Sequence, residues 1–167
     1  MMNGWSLHTA VIALALMAGA LSANAQFSAP GGGVAQAGSA ASIPQTQLLQ
    51  PDALHHLLLA GGPEKPLVLQ VGSHILFAEA HIPGSEYKGP GAQPQGLELL
   101  QSRLAPLSRK TLIVLYCGCC PWGRCPNVEP AFAKAREMGF TNVKVLYLAD
   151  NFGTDWVSKG YPVEKGR

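Results

Sequence analysis

The stretch from Ile113 to Asn127 reads I-V-L-Y-C-G-C-C-P-W-G-R-C-P-N and contains all four cysteines of the chain. It continues a run from Thr111 to Tyr116 that is apolar on both faces of an extended chain. Such a run is typical of a strand buried in the centre of a parallel sheet. The cysteines follow in a short loop, and a helix is predicted just beyond it. This order of strand, loop and helix predicts an α/β fold.

Helices and strands alternate in the rest of the chain. Apolar residues at helical spacing, together with Pro at a helix start and Gly after a helix end, predict helices at Pro51–Leu59, Gly96–Leu104 and Pro130–Met138. Short apolar runs predict further strands at Leu67–Val71 and Val143–Leu148. Because strands alternate with helices, we expect a mainly parallel sheet.

Charged side chains are scarce and unevenly distributed. They make up 13% of the 167 residues, against 47% hydrophobic residues, and none precedes Asp52. This composition excludes disorder of the whole chain, which requires many charges and few core-forming residues. Four cysteines are too few for a disulfide mini-protein of this length, and a net charge of +2 is too small to favour nucleic-acid binding.

The N-terminal segment has the pattern of a secretory signal. Residues 10–21 form a short apolar run, and Ala23-Asn24-Ala25 matches an A-x-A cleavage site. We expect a signal peptide at residues 1–25, cleaved after Ala25, and a periplasmic or secreted protein without a stable membrane span. The alternatives are an uncleaved anchor and a buried helix. Residues 26–42, rich in Gly, Ala and Ser, predict a flexible tether, and residues 43–167 predict the folded domain.

The crowding of the cysteines favours chemistry over a purely structural disulfide. Pairs in so short a segment close very small loops, which stabilise a protein little. A thiol at the carboxyl end of a parallel strand and near a helix N-terminus is favoured as a thiolate, and Arg124 adds positive charge. Since the thiolate is the nucleophile, the loop suits attack on an electrophilic sulfur or another soft centre.

Other uses of the cysteines are compatible with the sequence. Structural disulfides are one, and a reversible disulfide between Cys120 and Cys125 is another, although four residues separate them instead of two. Thiolates also favour copper(I) or zinc. However, the nearly contiguous Cys117, Cys119 and Cys120 lack the paired C-x-x-C knuckles of a structural zinc site. We therefore predict no metal and no cofactor.

Several passages of the sequence are familiar in combination: L-V-L-Q-V (Leu67–Val71), A-H-I-P-G-S (Ala80–Ser85), the strand that ends at Cys117, G-F-T-N-V (Gly139–Val143), Trp156, and G-Y-P-V-E (Gly160–Glu164). In their order and spacing, they resemble a single rhodanese-like domain. The corresponding motifs of that family are a strand ending in Asp-Val-Arg and the sequence G-H-I-P-G-A. Here Gln70 and Gly72 replace the Asp and the Arg.

The resemblance implies a five-stranded parallel sheet with helices on both faces, and it implies sulfurtransferase chemistry. In that chemistry a thiolate takes sulfane sulfur from a small donor of the thiosulfate or persulfide class, and passes it to a thiol or protein acceptor. By position, Cys117 matches the catalytic cysteine, and Cys119 is a rival nucleophile. Arg124 is a candidate anion contact, and Asn127 lies near the place of the family's loop arginine.

The other loop residues have candidate supporting roles. Cys120 and Cys125, like Cys119, are candidate resolving thiols that would convert a persulfide into a disulfide. Two other functions are compatible with the same residues, namely a thiol-disulfide redox protein of the periplasm and a non-catalytic sulfur- or metal-binding partner module. The candidate loop or substrate contacts are Gly118, Trp122, Gly123 and Asn127.

Overall fold

A parallel β-sheet forms the centre of the protein. The computed structural model describes residues 43–62 and 65–166, and within them five strands pair in the order β1-β5-β4-β2-β3. Every neighbouring pair runs parallel, which confirms the predicted α/β fold with a five-stranded parallel sheet. The strands are β1 (Leu48–Leu49), β2 (Leu67–Gln70), β3 (Glu86–Tyr87), β4 (Ile113–Tyr116) and β5 (Val143–Leu146).

β4 is the central strand because its side chains are apolar on both faces. All four of its residues are buried. Its first residue, Ile113, is in register with Leu67 of β2 on one side and with Val143 of β5 on the other. Hydrogen bonds along both edges satisfy its backbone groups, which a strand without access to water requires.

Helices cover both faces of the sheet, as the resemblance implies. They are α1 (Pro51–Ala60), α2 (His74–Glu79), α3 (Pro94–Leu104), α4 (Val128–Glu137) and α5 (Phe152–Asp155). On one face, Ile113 and Leu115 belong to a buried cluster with residues of α3 and α4, namely Leu100, Leu104, Val128, Ala131 and Ala135. On the other face, Val114 and Tyr116 belong to a cluster with Leu54 of α1, Phe152 of α5 and Trp156.

The predicted helices and strands exist, and their ends differ from the predictions by one or two residues. α4 begins at Val128 and not at the predicted Pro130, because a proline in the first turn lacks only an N–H that has no partner within the helix. β4 begins at Ile113, since the amide of Thr111 donates to Ser108 O at 3.0 Å in a turn. The strand predicted to reach Leu148 ends two residues earlier, opposite the two-residue β1.

The signal peptide predicted at residues 1–25 and the tether predicted at residues 26–42 lie outside the described residues. Both therefore stay predictions, as does the cleavage after Ala25. Among the helices of the described residues, none combines the length and the apolar character that a membrane crossing needs.

The passages Ala80–Ser85 and Gly160–Glu164 lie next to each other in the folded protein. His81 and Glu164 form an antiparallel bridge in which each amide donates to the other's carbonyl at 2.9 Å. The ring of His81 stacks on Phe77, and its Nδ1 lies 2.8 Å from Phe77 O at the end of α2. This bridge fastens the C-terminal segment beside α2, so the buried imidazole has a structural role.

The segment before α3 is held between two helices by close backbone approaches. A Cβ at Gly96 of α3 would overlap Pro90 O, and a Cβ at Gly91 would overlap Asn127 O. The amide of Gly91 also donates to Val71 O at 3.0 Å. These contacts bring the residues after β2, the start of α3 and the start of α4 to the same edge of the sheet.

Replacing Gly96 with alanine tests this close approach. In an exposed helix the change would stabilise the protein by up to ~1 kcal/mol. Here we expect Gly96→Ala to lower the free energy of unfolding by about 1–3 kcal/mol, because the methyl group would overfill the contact with Pro90. Urea unfolding followed by circular dichroism measures the change. Ser102→Ala, at an exposed position of the same helix, is the control, and equal stabilities of the two variants would contradict the prediction.

Candidate functional site

Cys117 follows β4 directly, and its side chain is buried with 4% exposure. The backbone turns at Gly118, whose φ of +80° lies in the left-handed region that favours glycine. Gly118 O accepts a hydrogen bond of 3.1 Å from the amide of Phe152, which joins the loop to α5. A Cβ at Gly118 would lie 2.8 Å from the Cβ of Phe152. The predicted loop contact at Gly118 is therefore a backbone turn that fixes the position of Cys117.

Gln70, the last residue of β2, and Gly72, which follows the strand, form the wall beside Cys117. The side-chain amide of Gln70 donates to Cys117 O at 3.1 Å, and its oxygen accepts from the amide of Gly72 at 3.1 Å. A Cβ at Gly72 would lie only 2.7 Å from the sulfur of Cys117. The two residues that replace the family's Asp and Arg are thus the ones that support the cysteine.

Asn127 is the loop side chain that reaches the sulfur of Cys117. Its Nδ2 donates to Cys117 Sγ at 3.3 Å, and its Oδ1 accepts from the amide of Ala92 at 3.1 Å. Since both halves of the amide are used, the side chain is held in one orientation. Arg124, the predicted anion contact, is exposed, and its amide donates to Pro121 O in a turn of the loop.

The four cysteines are free thiols, and their sulfur atoms lie close together. The sulfur of Cys119 is 3.0 Å from that of Cys117 and 3.0 Å from that of Cys120. These separations exceed a disulfide bond length of about 2.05 Å. Cys125 is buried, and its sulfur lies with those of Cys117 and Cys119 in a group whose members are within 4.8 Å of one another. The loop therefore brings the nucleophile predicted at Cys117 together with all three candidate resolving thiols.

Hydrogen bonds from the neighbouring groups stabilise the thiolate of Cys117. Donation by the thiols of Cys119 and Cys125 lowers the pKa of Cys117 to about 4, although burial opposes the shift. The amide of Cys119 and the side chain of Asn127 donate to the same sulfur. Conversely, the pKa values of Cys119 and Cys125 are raised, mainly because each thiol donates its proton to Cys117. Burial raises the pKa of Cys120 to about 11. Near neutral pH, the loop therefore carries one thiolate, on Cys117.

The loop tip packs against the body of the domain. The amide of Trp122 donates to Ala149 O at 3.0 Å, and its ring lies 5.1 Å from that of Tyr147. Gly123 follows with φ of +82°, which allows the chain to turn towards Arg124. Trp122 also lines a small space beside Cys117, Cys120 and Cys125. These contacts of Trp122 thus hold the tip of the loop beside the thiols.

A cavity of about 310 Å³ gives access to the thiols. Its lining includes Cys117, Cys119 and Gln70. Its sides are residues of α2 and of α5, and the exposed Leu76 and Val157 lie at its rim. A small sulfur compound, or the thiol of a larger acceptor, would fit in this space.

Comparison with known proteins identifies the fold of the chain. No family model and no curated protein matches the chain. The rhodanese-like domain of the Alr3790 protein from Anabaena sp. is 22% identical, with a TM-score of 0.52 over 71% of this chain and 79% of that domain. The chain has a rhodanese-like fold.

Two further structures with this rhodanese-like fold are similar to the chain. The BH2092 protein from Bacillus halodurans is 25% identical, with a TM-score of 0.53 over 70% of this chain and 75% of that protein. A variant of EanB, captured with a cysteine persulfide in a tetrahedral intermediate state with ergothioneine, is 24% identical, with a TM-score of 0.52. The alignment covers 70% of this chain and 27% of EanB.

Two features of this site were not predicted from the sequence. One is the support of Cys117 by Gln70 and Gly72, and the other is the donation from Asn127 to its sulfur. The departure from Asp-Val-Arg was the available signal for the first, because a glycine at a strand end indicates a close approach of another group. The place of Asn127 near the family's loop arginine was the signal for the second.

The ionisation of Cys117 can be followed by the thiolate absorbance near 240 nm. Between about pH 3 and pH 7 we expect one thiolate per chain to form, with a midpoint near pH 4. Cys119→Ala removes the strongest donor and should raise the midpoint, whereas Cys119→Ser keeps a hydroxyl donor and should raise it less. Cys117→Ser should lack the transition. A wild-type midpoint near the ordinary value of about 8.5 would contradict this assignment.

Gly72→Ala tests the wall beside Cys117. The added methyl group would lie 2.7 Å from the sulfur, so the sulfur has to move away from its donors. We expect the midpoint of thiolate formation to rise by about one pH unit or more, since one unit corresponds to about 1.4 kcal/mol of lost stabilisation. The neighbouring Ser73→Ala, which removes a hydroxyl outside this contact, should keep the wild-type midpoint. The prediction is wrong if both variants titrate alike.

Proposed function

We propose that this protein is a sulfurtransferase in which Cys117 carries sulfane sulfur as a persulfide. The observation that carries the proposal is the position of the Cys117 sulfur at the end of β4, where it lies 3.0 Å from the sulfur of Cys119, accepts a hydrogen bond from Asn127 and lines an open cavity. A thiolate that is already formed at neutral pH is the state in which a cysteine attacks sulfur.

In the loading step, the Cys117 thiolate attacks the sulfane sulfur of a small donor of the thiosulfate or persulfide class. With thiosulfate, the sulfur–sulfur bond of the donor breaks and sulfite leaves with the electron pair. The new bond joins Cys117 Sγ to the transferred sulfur, which carries the negative charge. The amide of Cys119 and the side chain of Asn127 donate to the sulfur of Cys117, and we expect these donors to stabilise the charge of the persulfide formed on it.

In the unloading step, an acceptor thiolate attacks the outer sulfur of the persulfide. The acceptor becomes a persulfide, and Cys117 leaves as the thiolate from which the cycle began. The acceptor is a small thiol or a cysteine of a partner protein, and the apolar rim formed by Leu76 and Val157 favours an acceptor with an apolar portion. On the basis of the predicted signal peptide, we propose that this reaction takes place in the periplasm or outside the cell.

Cys119 provides an internal route for unloading. Its sulfur lies 3.0 Å from that of Cys117. The sulfur of Cys120 lies 3.0 Å from that of Cys119, and Cys125 is buried. Attack by Cys119 on the inner sulfur of the persulfide forms a disulfide and releases hydrosulfide, which takes the proton of the Cys119 thiol. The sulfane sulfur is reduced and the two cysteines are oxidised, so a thiol reductant has to restore them before the next cycle.

The short distance between Cys117 and Cys119 also supports a second candidate function, a thiol-disulfide redox protein. In that case a disulfide between the two cysteines forms by exchange with a disulfide substrate, without any uptake of sulfur. The two functions share the nucleophile and differ in the substrate that it attacks.

Mass spectrometry after treatment with thiosulfate distinguishes the two functions. We expect a gain of about 32 Da, the mass of one sulfur atom, on the peptide that contains Cys117. Cys119→Ser should keep this adduct without forming a disulfide, and Cys117→Ser should not gain it. Cys120→Ser is the matched control in the same loop and should load sulfur like the wild type.

Two outcomes would overturn the sulfurtransferase proposal. One is full sulfur uptake by Cys117→Ser, which would move the nucleophile to another thiol. The other is the absence of a sulfur adduct in Cys119→Ser, together with a loss of two hydrogens in the wild type without release of hydrosulfide, which supports the redox protein instead.

A further inference from the structure

Three of the four thiols form a compact group that the sulfur-transfer reaction uses only in part. The sulfur atoms of Cys117, Cys119 and Cys125 all lie within 4.8 Å of one another, and we refer to them as the sulfur triangle. Two of the three residues are buried and one, Cys119, is exposed. Cys125 is buried, and the proposed loading and unloading steps form no bond to its sulfur.

We propose that the sulfur triangle is a binding site for copper(I), held by three thiolates in a trigonal arrangement. Metal–sulfur bonds of about 2.3 Å in such an arrangement place the sulfur atoms roughly 4 Å apart. A separation of roughly 4 Å is compatible with the sulfur triangle, whose atoms lie within 4.8 Å of one another. The pair Cys117 and Cys119, now 3.0 Å apart, has to open by roughly 1 Å, and Cys119 is the exposed member of the pair.

The donor set favours copper(I) over harder ions. The group holds three sulfur ligands, and within the described residues no imidazole or carboxylate belongs to it. Thiolate ligands select soft ions such as copper(I), whereas structural zinc sites take four ligands in a tetrahedron. Cys120 does not belong to the group, so within the described residues the group has no fourth ligand for a tetrahedral zinc site.

The surroundings of the sulfur triangle resemble the outer shell of a metal site. Asn127 donates to the sulfur of Cys117 and is itself fixed by Ala92, and such partners orient a ligand for its metal. On the inner side, Val128 and Leu148 line a small apolar space next to Cys117 and Cys125. On the outer side, the exposed Cys119 opens a path by which an ion can enter.

Binding of copper(I) involves no electron transfer. The ion forms three bonds to sulfur, and thiols that are still protonated release their protons to solvent. Because Cys117 is shared, bound copper(I) and a persulfide exclude each other. The copper site does not depend on sulfur transfer, and either property can be found without the other.

Competition with the chromogenic copper(I) chelator bicinchoninate tests the site on the full-length, reduced protein without oxygen. We expect one copper(I) per chain and a rise in Tm when the ion is bound, since a ligand specific to the native state stabilises it. Cys125→Ser and the exposed Cys119→Ser should each weaken binding by roughly 100-fold or more, because even the loss of an outer-shell partner weakens metal binding by about 10–100-fold. Cys120→Ser is the matched control and should bind like the wild type.

Three outcomes would overturn the copper site. Cys119→Ser and Cys125→Ser with wild-type affinity would show that the sulfur triangle is not the ligand set. An equal loss in Cys120→Ser would indicate a four-thiolate site. Copper(I) bound as tightly by the urea-unfolded chain, with no rise in Tm of the native protein, would show that the fold contributes nothing. Thiosulfate loading of the same samples reports separately on sulfur transfer.

Discussion

The structure depends on the burial of β4 between two packed faces. Ile113 and Leu115 face one cluster, and Val114 and Tyr116 face the other. A shift of the strand by one residue would exchange the two sets and place each side chain in the wrong cluster. The strand therefore has a fixed register, and the residue at its end has a fixed position. That residue is Cys117, so the same apolar packing that stabilises the fold also positions the thiolate.

The charge of this thiolate is stabilised by hydrogen bonds in place of an ion pair. Arg124 is exposed, whereas Cys119 and Asn127 donate directly to the sulfur. A neutral donor and a buried cation differ in what remains at the site when the negative charge on Cys117 moves away. In the proposed reaction, sulfur transferred to Cys117 would move the charge outward, and no buried guanidinium would be left behind without a partner. Ionisation of Cys117 also keeps the neighbouring thiols protonated, which makes them poor nucleophiles until the charge on Cys117 has moved.

The sequence was sufficient to predict the fold and the place of Cys117, because both depend on local apolar runs and on the order of strands and helices. It was not sufficient for the contacts around the sulfur. The bond from Gln70 to Cys117 joins residues 47 positions apart, and it exists only because β2 and β4 are in register. The reason for a glycine at position 72 likewise becomes evident only in the folded protein, where Cys117 lies against it. The spacing of the cysteines argued against a metal, since it lacks the usual knuckles, yet the folded loop gathers three sulfur atoms into one group.

A single cysteine would be enough for sulfur transfer, so the other thiols call for their own explanation. Cys119 can be explained by its distance of 3.0 Å from Cys117 and by its exposure, which suit a resolving thiol. Cys125 differs, because it is not among the residues that line the cavity, whereas Cys117 and Cys119 are. Its contribution has to pass through Cys117, either by donating a hydrogen bond to the thiolate or by sharing an ion with it. Only the second role requires the sulfur of Cys125 to lie near Cys119 as well, and the geometry of the loop meets that requirement.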